Sequence, residues 1–156
     1  MSDSQKQTFD SNYLLVGLSQ EVKDEIYGMA KIMEMMGHRH VIEEDEKEVD
    51  LIVVLSGTIA IYKGEEKLAE AGPGSVLGEV ALVDNLPRSA HAISVTPVTI
   101  AKLDGNALRK YMFQNKDVGF IMLANLSRVL SARLRSVTQQ VEDLKGASRD
   151  PWEHSQ

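Results

Sequence analysis

The sequence predicts a mainly β domain, a sandwich or jelly roll, with one helix before the strands and a long helix after them. Between Val49 and Leu103, short apolar runs alternate with glycine-containing turns, a pattern typical of small β-sandwiches. From Lys116 to about Lys145, apolar residues recur in steps of three and four, which indicates a helix. A chain of 156 residues is long enough for one domain with a real core.

The N-terminal part divides into a tail and a helix. Residues 1–12 are polar and are predicted to form a flexible tail, residues 13–145 the domain, and residues 146–156 a second short tail. Ser19 is a good N-cap residue and Gly37 a good terminator, so a helix is expected between them. Its apolar residues recur at helical spacing: Val22, Ile26, Met29, Ala30 and Met33.

The central part is predicted to be a series of short strands. Residues 49–55 and 58–62 form two strands on either side of a Ser56-Gly57 turn, and residues 63–66 and 72–74 form further turns. Two more strands follow at residues 91–95 and 98–103 and meet at Thr96-Pro97. Asp104 is expected to cap a short helix that reaches Tyr111.

The long C-terminal helix carries an apolar seam close to that of a coiled coil. Its members are Leu123, Leu126, Leu130, Leu134, Val137, Val141 and Leu144. The helix could lie on its own sandwich or could pair with a second copy of the chain. Because it is longer than so small a sandwich can cover, we favour a homodimer.

The segment Leu77 to Ala90, LGEVALVDNLPRSA, places the acid Glu79 and the base Arg88 on a largely apolar background. Glu79 follows a glycine and Arg88 follows a proline. An arginine in such surroundings requires an anionic partner, because an unpaired buried charge is costly. A Gly-Glu opening into a short turn also presents backbone N–H groups to an anion. The acid could bind hydroxyls and the guanidinium a phosphate of one small ligand.

This segment resembles the phosphate-binding cassette of cyclic-nucleotide-binding domains of the catabolite activator and protein-kinase A regulatory-subunit type. Gly78 to Leu82 and Pro87 to Ala90 match the cassette in order and spacing, while Leu77 stands where the family commonly has Phe. The resemblance implies a jelly roll (double-stranded β-helix) and cAMP as ligand, with cGMP as the second candidate. It also implies these ligand-binding residues: Leu77, Gly78, Glu79, Val80, Ala81, Arg88, Ser89 and Ala90.

The resemblance extends over roughly residues 14–144 and includes the long helix. Residues 125–144 align without a gap with the helix that covers the nucleotide in the catabolite activator type. In that register Arg133 meets Glu79, and Val137 and Thr138 fall on the Thr-Ser pair that reads the adenine. Because Val137 can neither donate nor accept a hydrogen bond, half of that polar contact is missing.

Composition argues against several classes of function. The chain has no cysteine, so it has neither disulfides nor thiol chemistry. Its net charge of −6 disfavours nucleic acid as a partner, and no apolar run is long enough to span a membrane. No nucleophile–base pair, Walker-type loop or second carboxylate near Glu79 is evident. We expect a cytoplasmic, non-enzymatic sensor.

Beyond Lys145 the residues show no apolar periodicity, so we expect no DNA-binding helix-turn-helix and instead a downstream protein partner. The main alternative is a cupin-like metalloenzyme, since His38, His40 and Glu44 resemble the first half of a cupin metal site. The second half, a Pro-x-Gly followed by His, is missing. Another is a ligand-free domain used for protein contact, against which Glu79 and Arg88 argue. The acidic run of residues 43–48 is interpreted as a solvated loop or a docking patch for a basic partner.

Overall fold

The computed structural model describes residues 3–43, 49–84 and 88–148, and in these residues the chain forms two antiparallel four-stranded sheets packed as a sandwich. The strands are β1 (Lys31–Met35), β2 (His40–Ile42), β3 (Leu51–Ser56), β4 (Ile59–Lys63), β5 (Glu66–Ala71), β6 (Val76–Leu77), β7 (His91–Ser94) and β8 (Val98–Leu103). One sheet has the order β1-β8-β3-β6 and the other β2-β7-β4-β5. The predicted jelly-roll sandwich is confirmed.

Helices flank the sandwich at both ends of the chain. They are α1 (Asp3–Asp10), α2 (Gln20–Met29), α3 (Gly105–Gln114) and α4 (Lys116–Ser148). The predicted caps are present, since Ser19 accepts the N–H of Val22 and Asp104 accepts the N–H of Asn106. Among the described helices, none is both long and apolar enough to cross a membrane.

Two predictions about the N-terminal part were wrong. Residues 3–10 form helix α1 rather than a flexible tail, because Phe9 is fully buried and its ring packs edge-on against Tyr27 with centroids 4.8 Å apart. A single apolar residue in a polar segment produces no periodicity that would reveal this. Helix α2 ends at Met29, well before Gly37, and Met33 lies on β1 opposite Ile100. Pairing with β8 outweighs the helical propensity of this segment.

The core consists of two layers separated by the sheet that contains β3 and β8. Leu51, Val53 and Leu55 of β3 face the helices, and Ile52 and Val54 face the second sheet. Because both faces of β3 are covered, the strand is a continuous apolar run instead of an alternating one. The layer between the two sheets opens at one end into the cavity described below.

The second half of α4 projects away from the sandwich. Met122 and Leu126 of its first half are buried in the core, whereas every residue from Ser131 to Gly146 is exposed. These sixteen residues correspond to a helix about 24 Å long at 1.5 Å per residue. The predicted seam is therefore split: Leu126 packs on its own domain and Leu130 does so in part, while the members from Leu134 onward lie in solvent.

Candidate functional site

A cavity of about 530 Å³ lies between β6, β7 and the start of the projecting part of α4. All of the predicted ligand-binding residues line it except Val137 and Thr138. These residues are Leu77, Gly78, Glu79, Val80, Ala81, Arg88, Ser89, Ala90 and Arg133. The cassette residues and Arg133, 54 positions apart from Glu79 in sequence, thus meet around one space.

The apolar wall of the cavity comes from strands that the sequence reasoning did not assign to the site. Ile61 on β4 and Ala92 on β7 are direct cross-strand partners, and Ile42 on β2 lies beside them. Asp84 and His91 add polar groups to the lining, and Asp84 is a second carboxylate in the cavity of Glu79, which the sequence did not lead us to expect. Alternation along β4 and β7 could have indicated inward-facing residues, but the cavity face depends on strand register, which is not local.

Gly78 makes the cassette geometry possible. It has a left-handed backbone with φ of 79°, and a Cβ at this position would collide with the Arg88 guanidinium and with the carbonyl oxygen of Asp50. The 3₁₀ turn Glu79–Leu82 begins directly after it. Glycine therefore lets the guanidinium pass beneath the turn that carries Glu79.

Arg88 is a buried cation, 8% exposed, held by backbone oxygens. Its Nη2 donates to the carbonyl of Asp50 at 2.5 Å and its Nη1 to the carbonyl of Gly78 at 3.4 Å. Its Nε is buried and has no hydrogen-bond partner among the described residues. The nearby carboxylate of Asp50 pairs instead with Lys102 at 3.3 Å. Within the described part of the chain, Arg88 thus has no ion-pair partner, and such a charge favours an anionic ligand.

Glu79 is a buried anion whose cationic partner comes from α4. Its Oε1 accepts a hydrogen bond from Nη1 of Arg133 at 2.7 Å, as the resemblance implied. The Glu79 side chain is 5% exposed and that of Arg133 is 55% exposed. The cavity therefore has a cation at the cassette and an ion-paired carboxylate beside it, a combination that suits a ligand with both a phosphate and hydroxyls.

Tyr13, which the sequence reasoning missed, is close to this ion pair. It lies in the 3₁₀ turn Tyr13–Leu15 and its hydroxyl is buried without a hydrogen-bond partner in the described structure. Burial raises the pKa of Tyr13, the negative charge of Glu79 raises it further, and Arg133 opposes this. The hydroxyl therefore stays protonated and is available as a donor.

Three groups expected to contact the ligand either lie outside the cavity lining or are already hydrogen-bonded within the chain. Val137 and Thr138 lie beyond Arg133 on the exposed half of α4, and the Thr138 hydroxyl donates to the carbonyl of Leu134 at 2.9 Å. The N–H of Ala81, expected to help bind a phosphate, already donates to the carbonyl of Gly78 at 3.1 Å. The N–H groups of Glu79 and Val80 precede the internal bonds of the 3₁₀ turn and replace Ala81 as candidates.

The cupin-like metal site is not assembled in residues 3–43, 49–84 and 88–148. No three His, Asp or Glu side chains converge there. His38 lies in a turn with φ of 62°, and the His40 ring faces His91 with centroids 5.9 Å apart. Glu44 and most of the acidic run fall outside the described residues, as do Pro87 and the C-terminal tail from residue 149.

Comparison with known proteins identifies relatives of this chain. A CRP-like cAMP-activated global transcriptional regulator of Mycobacterium tuberculosis is 31% identical over 113 residues, which cover 69% of this chain and 48% of the regulator. A cAMP-dependent protein kinase regulatory subunit of Hypocrea atroviridis is 32% identical over 72 residues, 46% of this chain and 16% of the subunit. The chain thus spans less than half the length of these two relatives.

The fold and the family follow from two further findings. The crystal structure of the Thermus thermophilus catabolite activator protein matches with a TM-score of 0.76 at 22% identity, over 86% of this chain and 63% of that one, which shows a shared fold. The family model for the cyclic nucleotide-binding domain matches residues 33–115, more than half of the sequence. The chain therefore belongs to the cyclic nucleotide-binding domain family.

Proposed function

We propose that this protein is a non-enzymatic sensor that binds cAMP in the cavity between the cassette and α4. The observation that carries the proposal is Arg88, a buried cation without an ion-pair partner among the described residues, in the same cavity as the carboxylate of Glu79. Two relatives support the choice of ligand, since one is named as cAMP-activated and the other as the regulatory subunit of a cAMP-dependent kinase.

The proposed ligand pose places the cyclic phosphate on Arg88 and the Ser89 hydroxyl. The ribose 2′-hydroxyl then donates to Glu79, since an ionised carboxylate is purely an acceptor. In the described structure Arg133 uses Oε1 of Glu79, which leaves Oε2 for the ligand. The base occupies the apolar part of the cavity, beside Ile61 and Ala92, and points towards α4.

We further propose that the chain dimerises through α4. An isolated helical segment of about this length is marginal in water, so the projecting half requires a partner surface. Its apolar residues fall on one seam with a seven-residue repeat, which begins at Phe120 and Leu123 and continues with Leu130, Leu134, Val137, Val141 and Leu144. All of these are exposed except Leu130, which packs partly on the core.

Signalling in this proposal is a change in the position of α4. Thr138 is adjacent to the seam, so in a dimer the partner's Thr138 could reach the base edge, and nucleotide binding would depend on the position of the helix. A ligand shifts such an equilibrium only by its different affinities for the two positions. A downstream protein in the cytoplasm would then read the helix or its exposed surface.

Isothermal titration calorimetry of the full chain with cAMP, cGMP and a cyclic dinucleotide tests the proposal. We expect saturable binding of cAMP with one site per chain, weaker binding of cGMP, and no binding of the cyclic dinucleotide. An Arg135→Gln variant serves as the control for variants at Arg88 and Arg133, since Arg135 is an exposed cation on α4 that does not line the cavity. Absence of heat with both mononucleotides would refute the proposal.

A further inference from the structure

Three residues connect the cassette to β7 and belong to neither a strand nor a helix. They are Arg88, Ser89 and Ala90, and all three line the cavity. Residues outside helices and strands lack the regular backbone hydrogen bonds that fix the position of those elements. Arg88 is held by the carbonyls of Asp50 and Gly78. The position of Ser89 depends on contacts from another part of the fold.

The end of β4 makes two contacts with this connection, through Tyr62 and Lys63. Nζ of Lys63 donates to the carbonyl oxygen of Ser89 at 3.2 Å. Tyr62 is the cross-strand partner of His91, and their rings are stacked with centroids 5.4 Å apart and planes 9° apart. Because Ser89 and His91 are two positions apart, both contacts act on the same short stretch of backbone. Neither Tyr62 nor Lys63 lines the cavity, so β4 holds the exit of the cassette from outside.

Lys63 also brings a positive charge to this position. Its ammonium group is hydrogen-bonded to Ser89, which directly follows the buried cation Arg88. These two residues form the phosphate subsite in the proposed pose. Since the chain carries a net charge of −6, a cation beside the subsite favours the approach of an anionic ligand. Lys63 is exposed, so salt screens its charge and its contact contributes little to folding stability.

We propose that Lys63 is a positioning residue of the phosphate subsite, which holds the Ser89 backbone in place for the cyclic phosphate and adds a positive charge outside the cavity wall. This inference deepens the proposed function and rests on it. Tyr62 supports the same stretch of chain by packing on His91. Because the hydrogen bond and the charge of Lys63 act at the phosphate, they strengthen the binding of cAMP and cGMP equally and do not select the base.

The first test compares Lys63→Met, which removes the charge, with Lys63→Arg, which keeps it. At low ionic strength Lys63→Met should bind cAMP about threefold to tenfold more weakly, as for an exposed charge contact. The loss should shrink as salt is added, and Lys63→Arg should restore most of the affinity. Lys67→Met is the matched control, since Lys67 is the exposed cross-strand partner of Tyr62, pairs with Glu70 and does not line the cavity. Equal effects of Lys63→Met and Lys67→Met, or a loss independent of salt, would overturn the proposal.

The second test needs no nucleotide and so separates failure of this inference from failure of the proposed function. The carbonyl ¹³C resonance of Ser89 reports hydrogen bonding to its oxygen. In ligand-free labelled protein, Lys63→Met should shift this resonance, whereas Lys63→Arg and Lys67→Met should leave it close to the wild-type value. An unchanged resonance in Lys63→Met would refute the role of Lys63 even in a protein that binds cAMP. A shifted resonance in a protein that binds neither cAMP nor cGMP would confirm the contact and refute the proposed function.

Discussion

Nη1 of Arg133 lies 2.7 Å from Oε1 of Glu79, and this contact joins the projecting half of α4 to the floor of the cavity. One partner is almost fully buried and the other is half exposed, so the pair is neither a surface salt bridge nor a fully desolvated one. In the proposed pose, a ligand hydroxyl on the same carboxylate acts directly on the helix that carries Arg133. The proposed ribose subsite and the position of α4 would then be linked through a single side chain.

Removing Arg133 should destabilise the ligand-free protein. Arg133→Gln leaves the buried carboxylate of Glu79 without its cationic donor, at an expected cost of about 1–3 kcal/mol in the free energy of unfolding. Urea denaturation measures this value. Arg135→Gln, at an exposed position two residues from Arg133, should change the free energy of unfolding by less than about 0.5 kcal/mol. Equal effects of the two variants would show that the Glu79–Arg133 contact contributes nothing to stability.

Arg88→Leu should abolish most nucleotide binding, with a loss of about 2–5 kcal/mol in binding free energy, as for a broken buried charge pair. The free energy of unfolding without ligand should change much less, because the wild-type cation is itself buried without an ion-pair partner among the described residues. Calorimetry and urea denaturation on the same preparation measure both quantities. Unchanged affinity would remove Arg88 from the site, and a large loss of stability would make it a structural residue instead.

Glu79 should determine the contribution of the ribose 2′-hydroxyl. Wild-type protein should bind 2′-deoxy-cAMP about 1.5–3 kcal/mol more weakly than cAMP, the value for a hydrogen bond to a charged group. In Glu79→Gln, which keeps the shape but not the charge, the difference between the two nucleotides should shrink. Equal affinities of the wild type for both nucleotides would contradict the assignment of Glu79 to the ribose.

How much of this site can be read from sequence depends on whether its parts are local. Glu79 and Arg88 are nine positions apart and define the cassette without any tertiary information. Ile61 and Ala92 face the same cavity only because β4 and β7 pair in one particular register, which no short pattern contains. The charge of Glu79 affects the pKa of Tyr13, 66 positions away in the sequence, and neither residue type nor spacing indicates this proximity.

The same distinction explains the outcome for the fold. Strands β3, β4, β7 and β8 and the turns between residues 49 and 103 were predicted, because alternation and glycine turns are local signals, whereas β5 and β6 were not predicted as strands. Helix α1 was missed because its single core residue, Phe9, gives no repeating pattern, although it is among the most buried side chains. The end of α2 was misplaced because β1 exists only through its pairing with β8. Both errors occurred because tertiary contacts with residues distant in sequence determine the local structure there.

The dimer seam on α4 can be tested by charge. Replacement of Leu130 and Leu134 by lysine should yield monomers, because each charge would have to be buried in an apolar interface. Multi-angle light scattering at micromolar concentration should show a wild-type dimer and a variant monomer. Arg135→Lys on the same helix should remain dimeric. A monomeric wild type would refute the dimer. Because Leu130 packs partly on the core, a second variant with lysine at Leu134 and Val141, which are both exposed, separates loss of the dimer from loss of the fold.

Base selectivity should be weak and should depend on Thr138. With Val137 at one of the two positions that align with the adenine-reading pair, Thr138 is the one of the two that can hydrogen-bond a base edge, and in the present structure its hydroxyl is bonded to the carbonyl of Leu134. To read a base it must exchange that bond, so its contribution should be modest, about 0.5–1.5 kcal/mol for a neutral hydrogen bond. Thr138→Val, which keeps the shape, should reduce the ratio of cAMP to cGMP affinities by up to about tenfold in calorimetric titrations.

Ser136→Ala, a hydroxyl removal on the same exposed half of α4, serves as the control and should leave the ratio unchanged. If Thr138→Val also leaves it unchanged, Thr138 does not read the base, and selectivity must come from the apolar wall of the cavity.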